Sequence, residues 1–119
     1  MSQVTSERLE EIQNIIQLAP NDPFPRYGLA MEYKNLGDRD SARRSFADLL
    51  ERHPDYVPQY LMYGQLLIEM GDRAAAKQVL TAGIAQAEKS RNHHALGELR
   101  TSLDQLTGAV VDDDDEGRL

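Results

Sequence analysis

Apolar residues along the chain recur at helical rather than strand spacing. Between Phe24 and Leu36 they fall at Leu29, Ala30, Tyr33 and Leu36, the step of three and four that gathers side chains on one face of a helix. Gly37 follows; glycine enters the left-handed region without a Cβ clash and so ends a helix. Asp38 can accept backbone N–H groups at the start of the next one. Ala42, Phe46, Leu49 and Leu50 form a second stripe. His53-Pro54 stops it, because proline lacks an amide hydrogen and restricts the residue before it. The same order then returns. Tyr60, Tyr63, Gly64, Leu67 and Met70 make one face, Gly71-Asp72 turns, and Ala76, Leu80, Gly83 and Ile84 come back.

The two copies keep one register. Gly37-Asp38-Arg39 recurs as Gly71-Asp72-Arg73, a shift of 34, and Pro20 and Pro54 stand at the same distance. So do Ala42 and Ala76, Phe46 and Leu80, Tyr33 and Leu67, and Tyr27 and Leu61. A fixed period of this length marks a stacked helical repeat. The flanks extend it. Leu9, Ile12, Ile15, Ile16 and Ala19 form a stripe that ends at Pro20, in register with the second helix of a preceding half repeat. Ala95, Leu96, Leu99, Leu103 and Leu106 form another between Asn92 and Thr107, expected to cap the stack and cover its apolar end. Helices are therefore predicted over 4–18, 23–36, 39–52, 57–70, 73–88 and 92–107. Residues 108–119 are predicted to be a disordered acidic tail.

These positions resemble the tetratricopeptide repeat (TPR) family. Leu29, Ala30, Tyr33, Gly37, Ala42, Phe46 and Pro54 sit where that family places its large, small, aromatic, turn, small, aromatic and proline residues. Tyr60, Gly64, Leu67, Gly71, Ala76 and Leu80 do the same in the second copy. Arg26 departs from the usual early aromatic. Glu88 stands where the second copy should end in proline, so the helix from Arg73 is expected to run on to about Glu88. The resemblance implies an all-α, right-handed TPR-type helical solenoid with two full helix-turn-helix repeats. The expected organisation is a single domain over 1–107: N-terminal helix 4–18, repeat one 23–56, repeat two 57–90 and cap helix 92–107.

Composition narrows the function. The chain has 119 residues, no cysteine and no tryptophan, which removes disulfides, thiolate metal sites and cysteine nucleophiles. Its net charge is −7; without residues 112–119, which hold Asp112 to Glu116 and Arg118, 12 basic and 15 acidic residues leave −3. No basic face suits nucleic acid or a membrane surface. The first residues carry no signal-peptide pattern and no stretch is long and apolar enough to cross a membrane, so a cytoplasmic location is expected. Adjacent His93 and His94 point about 100° apart on a helix and do not form an i,i+4 chelate. His53 suits a helix end. Gly37 and Gly71 are turn glycines, not a phosphate loop. Glu10, Glu11 and Glu98 read as solvated helix faces, and the acidic tail lacks the spacing of a calcium loop. No catalytic residue, cofactor site or metal site is expected, and the chain is not expected to be an enzyme.

What remains is a groove. By the resemblance, the first helix of each repeat lines a concave face, through Phe24, Tyr27, Met31, Lys34 and Asn35, then Pro58, Leu61, Met62, Gln65, Ile68 and Glu69, with Asn92, Ala95, Leu96 and Leu99 of the cap helix. The partner-binding set is Phe24, Tyr27, Met31, Lys34, Leu61, Met62, Gln65 and Ile68, because exposed apolar and methionine-rich patches mark partner sites. Relatives that clamp a C-terminal carboxylate use basic residues; the corresponding positions here are Tyr27, Met31, Met62, Asn92 and Leu96, none of them cationic. The expected function is a non-catalytic scaffold or adaptor that holds a helix or extended peptide in an apolar groove. The alternative is self-assembly into a homodimer through the groove or a cap face.

Overall fold

The computed structural model describes residues 6–108. Among them are six helices and no strand: α1 (Glu7–Leu18), α2 (Pro23–Asn35), α3 (Arg39–Arg52), α4 (Pro58–Glu69), α5 (Arg73–Lys89) and α6 (His93–Thr107). The all-α helical repeat read from the sequence is the fold observed. The first helix starts later than position 4. Ser6 has extended backbone and its hydroxyl accepts the Leu9 amide at 3.0 Å, so it caps α1 and the helix begins at Glu7; Val4 and Thr5 lie outside the described residues. Gly108, taken by sequence into the tail, closes α6 with φ +75°. The predicted disorder of residues 109–119 falls outside the described residues. The chain divides into two compact units, Met1–Gln59 and Tyr60–Leu119.

In the first unit α2 packs on both α1 and α3. Leu9, Ile12, Ala30, Ala42, Phe46, Leu49 and Val57 are its buried hydrophobic residues, and Ala30, Ala42, Phe46 and Leu49 are wholly inaccessible. A polar tie joins α1 to α2. Glu32 is only 9% exposed; its carboxylate accepts the Ser6 hydroxyl at 3.3 Å and pairs with Arg8 Nε at 3.2 Å. Arg26, the departure from an aromatic, bridges two elements. Its guanidinium donates to the Pro20 carbonyl at 3.1 and 3.2 Å and to Asp48 at 3.2 Å. Two turns repeat the same geometry at the 34-residue shift. Ala19 and His53 share φ −137/ψ 68° and φ −138/ψ 69°, and each donates its amide four residues back, to Ile15 and Leu49. Gln59, fully buried, donates its amide to the carbonyls of His53 at 2.7 Å and Tyr56 at 3.1 Å, fixing the chain where it enters α4.

The α2–α3 turn is carried by Gly37 at φ +82° and Asp38. The Asp38 carboxylate accepts the Ser41 amide at 3.2 Å. Hydrogen bonds from the Ser41 hydroxyl and amide hold the Asp38 carboxyl below its usual 3.8. A folded-state value below the unfolded one means that this cap stabilises the protein above the unfolded value. The contribution is lost as pH falls through the lowered folded value. Wild type should therefore melt higher than Asp38→Ala at neutral pH, and the gap should narrow on acidification into that range in thermal scans.

In the second unit the buried hydrophobic residues are Tyr60, Tyr63, Leu66 and Leu67 of α4, Ala76, Val79, Leu80 and Ala87 of α5, and Leu99 and Leu106 of α6. Two glycines set the α4–α5 distance. A Cβ on Gly83 would lie 2.5 Å from the Tyr60 Cβ, and one on Gly64 would lie 2.5 Å from a Leu80 methyl. The α4–α5 turn copies the first: Gly71 has φ +83°, Asp72 accepts the Ala75 amide at 3.1 Å, and the Asp72 amide reaches the Leu67 carbonyl at 2.9 Å. With no proline at position 88, α5 runs on to Lys89. The α5–α6 turn then adopts the same geometry with Arg91 at φ +58° and Asn92 as the cap, accepting the Ala95 amide at 3.1 Å.

Candidate protein-interaction groove

A groove of about 580 Å³ opens in the second unit between α4 and α6. Leu61 and Gln65, one turn apart on α4, form one wall. From α6 come His93, His94, Gly97, Glu98, Thr101, Ser102 and Gln105. The step of three and four along 94, 97, 98, 101 and 105 puts these on one face, while Leu99 and Leu106 turn into the core at 1% and 6% exposure. The wall formed by α6 is polar, with hydroxyl and amide groups that donate and accept hydrogen bonds. Gly97 leaves the floor open, since a Cβ there would meet nothing within 4 Å. The lining contains no Lys or Arg. His94 Nε2 stands 3.6 Å from the Glu98 carboxylate and pairs with it when protonated.

The residues singled out by sequence are distributed as follows. Leu61 and Gln65 line this groove together. Met62 and Ile68 are half-buried on α4 and are not part of its lining. In the first unit Met31 and Lys34 are half-buried on α2. Tyr27 is held by two rings, Phe46 edge-on at 6.4 Å and Tyr56 tilted at 5.5 Å, and burial raises its phenol above the ordinary value. Phe24 is 67% exposed and lines a separate depression between α1 and α2 with Ile12, Ile15 and Gly28. Of the cap-helix positions, Asn92 is occupied as the α6 cap and Leu99 lies in the core. Sequence reasoning followed apolar positions and passed over Gly97, Thr101, Ser102 and Gln105; their polar stripe at helical spacing was the available signal. Among the described residues no group of three or more His, Cys, Asp or Glu could hold a metal ion. No helix there is long and apolar enough to cross a membrane.

The chain is similar to known proteins over most of its length. It is 25% identical over 101 residues to a TPR repeat-containing protein of Pseudomonas aeruginosa, covering 85% of this chain and 96% of that one. The solution structure of a tetratricopeptide repeat domain protein from Salinibacter ruber matches with a TM-score of 0.71 and 31% identity. That match covers 75% of this chain and 90% of the other. PcrH, solved in complex with the chaperone binding region of PopD, shares the fold at a TM-score of 0.77 and 16% identity, over 85% of this chain and 77% of that one. The tetratricopeptide repeat profile itself matches residues 35–99, from the end of α2 into α6. The turn chemistry, the buried alanines and this match agree: the chain belongs to the tetratricopeptide repeat family.

Proposed function

We propose that the protein is a non-catalytic interaction module that holds a segment of another protein in the groove between α4 and α6. The observation that carries this reading is the groove itself, with Leu61 as an apolar anchor beside hydrogen-bonding side chains from α6. Sites of this kind draw affinity from a few well-placed anchors while polar neighbours fix orientation. Partner binding by this fold is supported by PcrH, which holds a region of PopD. The absence of Lys and Arg from the lining disfavours a segment that presents a carboxylate, in line with the uncharged clamp positions.

The combination Leu61→Ala with Gln65→Ala tests it. Both side chains are only partly buried, so helicity should survive. Affinity capture from the native cell should yield about tenfold less of the principal partner, the fall that a loss of about 1.4 kcal/mol produces. A folded double variant that captures every partner as well as wild type would remove the groove from consideration. Light scattering on the same samples addresses the homodimer: a dimer that the double variant dissociates would make a second copy the ligand.

A further inference from the structure

We propose that the depression between α1 and α2 is a second docking site, which receives an amphipathic helix from a separate protein. The helix would carry a large residue three positions before a small one. The site is distinct from the α4–α6 groove and does not depend on it. It measures about 250 Å³ and is lined by Ile12, Ile15, Phe24, Pro25 and Gly28, with Arg8 and Glu11 at its edge. Among the described residues the large apolar side chains most exposed are Ile15 at 48%, Leu18 at 86% and Phe24 at 67%, all on these two helices. Two of them, Ile15 and Phe24, line this one depression, and adjoining exposed apolar side chains mark an interaction surface.

The chain's own repeat says what covers a face of this kind. At the shift of 34, Ile12, Ile15 and Ile16 correspond to Phe46, Leu49 and Leu50 of α3. Phe46 and Leu49 are wholly buried, and α2 packs on α3. There α2 sets Tyr27 against Phe46 and places Ala30, three residues on, at zero exposure. The first helix of the next repeat keeps that spacing as Leu61 and Gly64. Ile15 is 48% exposed where its repeat counterpart Leu49 is wholly buried. The correspondence ends at Arg8, which replaces the close-packing Ala42; its guanidinium is drawn to Glu32 at 3.2 Å. The apolar seat offered to the incoming helix is thereby Ile12, Ile15 and Phe24. Gly28 leaves it room, since a Cβ there would meet nothing within 4 Å.

A fluorescent peptide of residues 22–37 of this chain is a suitable probe, because it carries the pattern and its own cap, Asp22. Added to the full chain it should give saturable anisotropy. Ile15→Glu and Phe24→Glu, both at exposed side chains, should each weaken binding at least about tenfold, the loss expected for one buried anchor. Gly28→Phe, which fills the seat without introducing charge, should do the same. Gly97→Trp, in the other groove, should leave peptide binding unchanged. The proposal is overturned by a peptide that does not bind, by binding that all three variants retain, or by a dimer of the protein alone that Ile15→Glu dissolves.

Discussion

Gly83→Ala is expected to destabilise the protein by about 1–3 kcal/mol, the usual range for overpacking a well-filled core. In an exposed helix the same change would help, because glycine costs roughly 0.5–1 kcal/mol relative to alanine. At position 83 the new Cβ would stand 2.5 Å from the Tyr60 Cβ and 2.9 Å from its Cγ, with a Leu99 methyl at 3.1 Å. The Tyr60 Cβ is fixed to its backbone and cannot swing aside, so α4 and α5 must separate. At Gly64 the obstruction is the outer part of the Leu80 side chain, at 2.5 and 2.8 Å, and a rotamer change relieves part of it. At Gly97 nothing lies within 4 Å. The order of thermal midpoints should therefore be Gly97→Ala above wild type, Gly64→Ala below it, and Gly83→Ala lowest. For a domain of this size each kcal/mol moves the midpoint by roughly 4–8 °C. Equal effects at the three glycines would mean that the α4–α5 approach is not the one described.

The second large effect is Ala76→Leu. Ala76 and its repeat partner Ala42 are both wholly buried, each on the second helix of its repeat. Three added carbons have no space to enter, and the expected cost is again about 1–3 kcal/mol. Ala74, two residues earlier on α5, is exposed, and Ala74→Leu should stay within about 0.5 kcal/mol of wild type. Chemical denaturation separates the two: the midpoint should fall for Ala76→Leu and hold for Ala74→Leu.

Much of this fold was legible because its turns carry chemistry that few residues can supply. Gly37 and Gly71 adopt positive φ, and Asp38 and Asp72 cap the helices after them; the tripeptide repeat thus reported the structural repeat directly. The alanines at 42 and 76 signalled close helix packing for the same reason. The α5–α6 turn gave no such signal, because Arg91 takes the left-handed conformation that glycine takes elsewhere. The site was less legible. Tyr27 sits on a first helix, as its register requires, but one of its ring partners is Tyr56, in the loop after α3. Helical periodicity says nothing about a loop residue. The groove wall on α6 is polar, and apolar periodicity does not mark a surface that presents hydroxyl and amide groups. The burial of Leu66 was likewise missed, since α4 is apolar on more than one face and its stripe does not single out one side.

Site-specific photo-crosslinking asks whether the α4–α6 groove contacts the partner. A photoreactive residue in place of Gln105, on the groove wall, is compared with one in place of Ala47, exposed on α3 and outside the groove. Both positions are on helix surfaces, so both proteins should fold and capture partner alike. The expected result is a covalent adduct with the captured protein from position 105 and none from position 47; adducts from position 47 alone, or equally from both, would contradict the assignment of the groove.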